Sequence, residues 1–243
     1  MLPSINNLSL VFCVAMWCAW IPAQAQNDTA KTLLLLNGNE IVVSDFTDDS
    51  AADLKYVYDK NQFKRRKIRL REGRKSGLYF DAPMTEKARK VPVVAVQGST
   101  PREEAFAVIH PSGETRYFFE PDSLLGYSLE EMESFVYGQR DAMYTVRGKG
   151  WFWGGMGVGL AAGYLLETSV FSLAVPPLVA IGARIPVVHV KSEYISDARF
   201  FNDADYASGF ATRARAKNTL EALKGSAIGT ALGILVFVLV DNN

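Results

Sequence analysis

The chain has 243 residues and carries 26 basic against 26 acidic side chains, so no net field points to nucleic acid as a partner. Hydrophobic residues make up 49% and are gathered, leaving residues 1–30, 151–183 and 225–240 almost free of charge. Both cysteines, Cys13 and Cys18, lie in the first 25 residues, so a chain that loses that segment has no thiol for a disulfide, a thiolate nucleophile or a metal site.

The run Leu8 to Ile21 is uncharged, too short to cross a bilayer, and followed by Pro22 and the small-x-small pattern Ala23-Gln24-Ala25. That order of segments predicts a signal peptide over residues 1–25, cleaved before Gln26. An uncleaved anchor is the alternative; either way the following chain is exported. The residues before Cys18 do not fit a lipidation site.

Residues 31–127 read as an extracytoplasmic β-rich domain. Lys31 to Leu36 ends in Asn37-Gly38, a strong hairpin signal, and Glu40 to Phe46 resumes as a β-branched segment. Leu54 to Tyr58, Lys64 to Leu70, Pro92 to Val96, Ala105 to Ile109 and Glu114 to Phe119 complete about seven short strands, the last two joined by the turn His110-Pro111-Ser112-Gly113. The expectation is an antiparallel sheet, barrel or sandwich in an α+β chain. From Lys55 to Lys90 there are 13 basic residues against four acidic ones. Lys64, Arg65, Arg66, Lys67, Arg69, Arg71, Arg74 and Lys75 offer a surface for anionic lipid or an acidic partner; the competing reading is a solvated edge strand whose cations block aggregation. No aromatic platform for nucleic acid is interleaved with them.

Residues 128–243 read as a helical membrane domain. Ser128-Leu129-Glu130-Glu131 is a capping box, and a helix starting there puts Phe135, Gly138 and Ala142 on one face. Arg147 and Lys149 precede Trp151-Phe152-Trp153, an interfacial pattern. Transmembrane spans are expected at about 153–173 and 223–240, with the Pro176-Pro177 stretch a kinked extension or re-entrant piece. Gly155, Gly159 and Gly163 repeat at i, i+4, i+8, and so do Gly225, Gly229 and Gly233. In lipid, where no hydrophobic force drives helices together, such glycine-zipper stripes let backbones approach. The two stripes imply a helical hairpin, or association with further copies or with another membrane protein. Phe135-x-x-Gly138 and Tyr206-x-x-Gly209 precede the stripes at an offset of about 70 residues, which reads as a degenerate duplication. Seven basic residues between Arg184 and Lys224 put that loop inside, and the β domain and C-terminus both outside the cytoplasm, with the inner membrane favoured.

Leu35-Leu36-Asn37-Gly38-Asn39-Glu40-Ile41, His110-Pro111-Ser112-Gly113-Glu114, Phe135-Val136-Tyr137-Gly138-Gln139-Arg140-Asp141-Ala142 and Asp205-Tyr206-Ala207-Ser208-Gly209 carry a resemblance. The chain resembles uncharacterised exported Bacteroidota envelope proteins, in which a small β domain precedes a glycine-rich C-terminal membrane region. The resemblance implies architecture and compartment and no chemistry.

No catalytic, cofactor-binding or metal constellation is legible. His110 and His189 are far apart, and Gly225-Ser226-Ala227-Ile228-Gly229 has the wrong spacing for a nucleophile elbow. Glu167 is the one carboxylate in an expected span, at i+4 from Gly163. It is either an intramembrane polar site or a residue solvated at the far interface. The expected function is a non-enzymatic envelope component whose β domain binds a partner. The alternative is a small channel, transporter subunit or sensor built on the glycine-lined helices and Glu167. A third reading, an enzyme assembled from dispersed Asp, Glu and Tyr, requires a concave polar cleft in the β domain.

Overall fold

The computed structural model describes residues 30–47, 53–73, 80, 83–121, 126–166 and 169–241. The expected signal peptide, Glu167, Arg74 and Lys75 lie outside them.

Six strands form one antiparallel sheet: β1 (Lys31–Leu35), β2 (Glu40–Thr47), β3 (Asp53–Asp59), β4 (Ala95–Pro101), β5 (Ala105–Ile109) and β6 (Thr115–Tyr117), in the order β4-β3-β2-β1-β5-β6. β1 and β2 pair from Lys31↔Val43 to Leu34↔Glu40 across the Asn37-Gly38 turn, where Gly38 has φ +75°. The sheet curls: Phe46 on β2 and Phe118 beyond β6 stand with ring centroids 6.0 Å apart, although β1 and β5 separate their strands. Alternation sorts the side chains. Leu33, Leu35, Val43, Leu54 and Tyr56 fill the inside of the curl, while Leu34 and Phe106 face out toward a helix.

The stretch from Lys64 to Leu70, expected as a charged edge strand, is instead the middle of a helix, α1 (Gln62–Gly73). Lys, Arg, Leu and Gln are good helix formers, and Ile68 is the run's one β-branched residue. The helix also gives its cations partners. Arg65 pairs with Asp59, Arg66 lies 3.4 Å from Glu40, and Arg69 donates to the Phe80 carbonyl at 3.0 Å. Lys64, Lys67 and Arg71 remain exposed at i, i+3, i+7. A single turn, α2 (Glu86–Arg89), precedes β4.

α3 (Leu129–Thr145) begins with both halves of the Ser128–Glu131 capping box in place and packs Met132 and Val136 on Leu34 and Phe106. After the break at Val146–Gly148, α4 (Lys149–Leu165) carries the first glycine stripe. It stops at Leu165, short of the helix expected to reach residue 173. A 3-10 helix, Val170–Ala174, then leads into α5 (Val175–Gly182), whose start carries the prolines. An irregular return ends at α6 (Ala204–Asp241), a 38-residue helix roughly 57 Å long at 1.5 Å per residue. α6 contains the lead-in, the second glycine stripe and the expected span of 223–240 in one piece.

α6 lies beside α3 and then α4. Gly155 packs on Ala222 and Ser226, Gly159 on Ser226 and Thr230, and Gly163 on Thr230 and Ile234. Residue numbers rise together, so the two helices are parallel and the expected hairpin is corrected. The 38 residues from Leu166 to Asp203 are long enough to bring the chain back to its starting level. Seventeen residues separate Gly138 from Gly155, and sixteen separate Gly209 from Gly225. Sixteen residues turn the contact line by about 160° round α6. One straight helix could not follow that line, and the break at Val146–Gly148, which holds the extra residue, lets the first arm change direction.

Candidate functional site

One feature joins the helices to each other and a second joins them to the sheet, and both are built from small or charged residues where apolar ones would be expected.

The first is the helix seam. A Cβ on Gly138 would overlap the carbonyl oxygen of Tyr206, and one on Gly209 that of Phe135. The same reciprocity continues toward the C-terminus. Gly225 faces the Phe152 carbonyl, Gly229 that of Met156 and Gly233 that of Leu160, while Gly159 and Gly163 face the carbonyls of Ser226 and Thr230. On Gly155 a Cβ would lie 2.6 Å from the Ala222 oxygen. All eight glycines thus sit where two helix backbones meet. Gly150, Gly154 and Gly157, on the outer side of α4, have open space instead.

The second is a buried ionic knot. Asp141 on α3 is fully buried and accepts from Arg140 Nε at 3.0 Å, the Ser196 amide at 2.9 Å and the Tyr206 hydroxyl at 2.8 Å. Arg140 reaches the other way, 3.4 Å from Glu40 at the start of β2. Glu40 also accepts from the Tyr144 hydroxyl and faces Arg66 of α1. Two carboxylates and two guanidiniums therefore balance, and strand, α1, α3, α6 and the return loop share one network. Burial disfavours the Arg140 charge, yet Glu40 and Asp141 outweigh it and raise its pKa. Burial raises Tyr144 and Tyr206 well above the usual phenol range, with Glu40 and Asp141 respectively adding to it.

The Asn37-Gly38 turn is pressed against this knot. A Cβ on Gly38 would lie 2.6 Å from the Arg140 backbone nitrogen, and Gln139 Nε2 donates to the Leu36 carbonyl at 3.3 Å. Arg213, in the first third of α6, reaches Asn39 Oδ1 at 3.3 Å. Asp203 caps α6, accepting from the Asp205 and Tyr206 amides, and Ser134 of α3 donates to it at 2.9 Å. The return loop is held by aromatic stacking: Phe200 on Tyr206, with centroids 5.4 Å apart, and Tyr194 on Phe210, 6.3 Å apart.

Of the knot residues, the sequence marks Arg66 as a surface cation and Tyr206 as part of a repeat, and it marks none of them as a buried ionic partner. The signal was present in Arg140-Asp141, a charged pair interrupting the apolar face that runs through Gly138 and Ala142. His110 is half-buried in its turn and His189 is exposed. Among the described residues, no three His, Cys, Asp or Glu are grouped to hold a metal ion. On β2, β3 and β4 an open cleft of about 450 Å³ is lined by Asp45, Thr47, Lys55, Gln97 and Ser99. Compared with family models, curated proteins and solved structures, the chain matches none of them.

Proposed function

We propose that the chain is a non-enzymatic integral membrane component of the cell envelope, in which a glycine-zipper bundle anchors a β domain that binds a partner. The observation that carries this reading is an inversion of polarity along the bundle. From about Lys224 onward its interior is glycine, Ser226 and Thr230, while its outside is Leu, Val, Ile and Phe. Leu165 is 74% exposed, Phe171 76%, Leu178 63% and Leu239 59%. Water would penalise such a surface, whereas hydrocarbon would not. α6 is long and apolar enough to cross a bilayer.

The parallel seam supports a β domain and a C-terminus on opposite faces of that membrane, because two helices running the same way cross in the same sense. A cleaved leader would then put the β domain outside and Asp241, the end of α6, on the cytoplasmic side. Three of the seven cations between Arg184 and Lys224, read from sequence as an inside signal, are engaged by the fold. Arg199 pairs with Glu133 and Asp197, Arg213 with Asn39, and Lys217 with the Met143 carbonyl. With the inner membrane favoured for helical spans, the cleft on β2–β4 and the exposed face of α1 are the surfaces left for the partner.

Alkaline washing of membranes tests the anchor: the protein stays in the pellet, and release into the aqueous fraction without detergent ends this reading. Single cysteines, in a chain carrying Cys13→Ser and Cys18→Ser, test the topology. Cysteines placed at Ser112 and Asn243 label from opposite sides; labelling from one side overturns the parallel crossing. Recovery of a stoichiometric partner from solubilised membranes, lost on changing Lys55 and Gln97, identifies the binding face.

A further inference from the structure

Resting on the membrane reading above, we propose that the junction between the β domain and the apolar bundle is a binding collar for anionic phospholipid headgroups. Its cations come from three separate stretches that the fold brings to one level. Gly148 packs against the Glu221 side chain and the Lys217 carbonyl, which fixes Arg147 and Lys149 beside the middle of α6. Lys224 lies one turn further along α6, where Gly225 meets Phe152. Arg184 lies on the return between Pro176, whose carbonyl faces Ser226 Oγ at 3.5 Å, and Val188, packed in the cluster of Ala142 and Ala214.

Arg147, Lys149, Arg184 and Lys224 are all exposed. The first three make no ion pair among the described residues. Lys224 lies 3.2 Å from Glu221, the one carboxylate paired with a collar cation among the described residues, with half its side chain still in solvent. These four exposed cations outnumber the Glu221 carboxylate by three where the β domain meets the bundle. The N-terminus of α4 opens at the same level with no side-chain cap, adding its dipole to the field. Directly below stand Trp151 and Trp153, the latter 65% exposed, and then the apolar skirt.

That sequence of layers (free cations, tryptophan, aliphatic side chains) matches the depth profile of headgroup phosphate, ester region and acyl chain. A soluble acidic protein would meet the cations and miss the tryptophans and the skirt; a lipid with an anionic headgroup satisfies all three. The collar residues are separate from the cations of α1, of which Arg65 and Arg66 are held by Asp59 and Glu40.

The tryptophans give the readout. With Trp17→Phe and Trp20→Phe, the full chain keeps Trp151 and Trp153 as its only indoles, both beneath the collar. The protein is reconstituted in phosphatidylcholine vesicles containing a minor, fixed fraction of brominated lipid, either phosphatidylglycerol or phosphatidylcholine. We expect brominated phosphatidylglycerol to be preferred next to the indoles by about fivefold at low salt, the factor that one basic side chain gives at an anionic surface. The preference falls toward unity in the variant R147Q/K149Q/R184Q/K224Q and with rising salt. Equal quenching by the two lipids in the parent chain overturns the collar, as does an unchanged preference in the variant. Absence of quenching by either lipid would instead overturn the membrane reading itself. Equal phosphatidylcholine quenching in parent and variant confirms that the variant is still inserted.

Discussion

The hydroxyl of Tyr206, two residues into α6, donates to the carboxylate of Asp141 on α3 at 2.8 Å. Sixty-five residues separate them in sequence, and the bond closes the junction at which both helices leave the β domain. Asp141→Ala would leave Arg140 with a half-compensated buried charge, a change that costs about 3–5 kcal/mol. Tyr206→Phe removes one charge-assisted bond and keeps the ring stack on Phe200, for about 1.5–3 kcal/mol. Denaturant unfolding of the solubilised protein should give a double variant less unstable than the sum of the two. Strict additivity would mean that the residues do not act on each other.

Alkali should unlock the same knot. Burial, then the adjoining carboxylate, raises the pKa of Tyr144 and of Tyr206, so the folded chain holds both phenol protons more tightly than the unfolded one. Below the unfolded value of about 10 their contribution is fully present. Above it stability falls as pH rises toward the folded values, by up to about 1.4 kcal/mol per pH unit for each tyrosine. Melting followed across that range should show this slope, reduced by one tyrosine's share in Tyr206→Phe. A flat profile would contradict the burial.

Glycines on the two sides of α4 should respond in opposite ways. Gly159→Ala or Gly229→Ala forces a methyl into a facing backbone carbonyl, which only separation of the helices relieves, and should cost about 1–3 kcal/mol. Gly154→Ala and Gly157→Ala meet open space and should be neutral or stabilising by up to about 1 kcal/mol, the helix-propensity gain. Detergent-resistant folding, read by protease resistance, separates the two groups. Equal tolerance on both sides would remove the seam as the packing surface.

Gly38→Ala carries a double penalty. Its φ of +75° disfavours a side chain, and its methyl would meet the Arg140 backbone. A left-handed alanine alone costs roughly 1–2 kcal/mol. The predicted outcome is a β domain that keeps its strand content while losing its grip on α3. Hydrogen exchange at Leu36–Glu40 should therefore rise more than at Leu33 or Val43. Uniform protection across both sets would show that the turn does not hold the junction.

Local chemistry was readable directly. The Asn37-Gly38 turn, the Ser128–Glu131 cap, five of the strands and both glycine stripes each depend on a few neighbouring residues. Lys64 to Leu70 misled because its alternation is weak and its cations suggest an edge. Its composition favours helix, and the helix gives Arg65, Arg66 and Arg69 their partners in Asp59, Glu40 and the Phe80 carbonyl. The knot is not legible in the sequence because Glu40, Asp141 and Tyr206 lie far apart along the chain and only the fold brings them to Arg140 and to each other.

By itself the sequence determined where backbones can touch, since glycine recurring every fourth residue is a property of the chain and needs no partner to be seen. It also determined which stretches avoid water. Only the tertiary structure decided the direction of the contact. Glycine stripes of the same spacing serve parallel and antiparallel pairs alike, because a bare backbone ridge has no polarity that its neighbour must respect. The choice fell to residues far from the stripes. Tyr206 bonds Asp141 and Asp203 bonds Ser134, and these ties hold the start of α6 beside α3, leaving it to run the same way as α4.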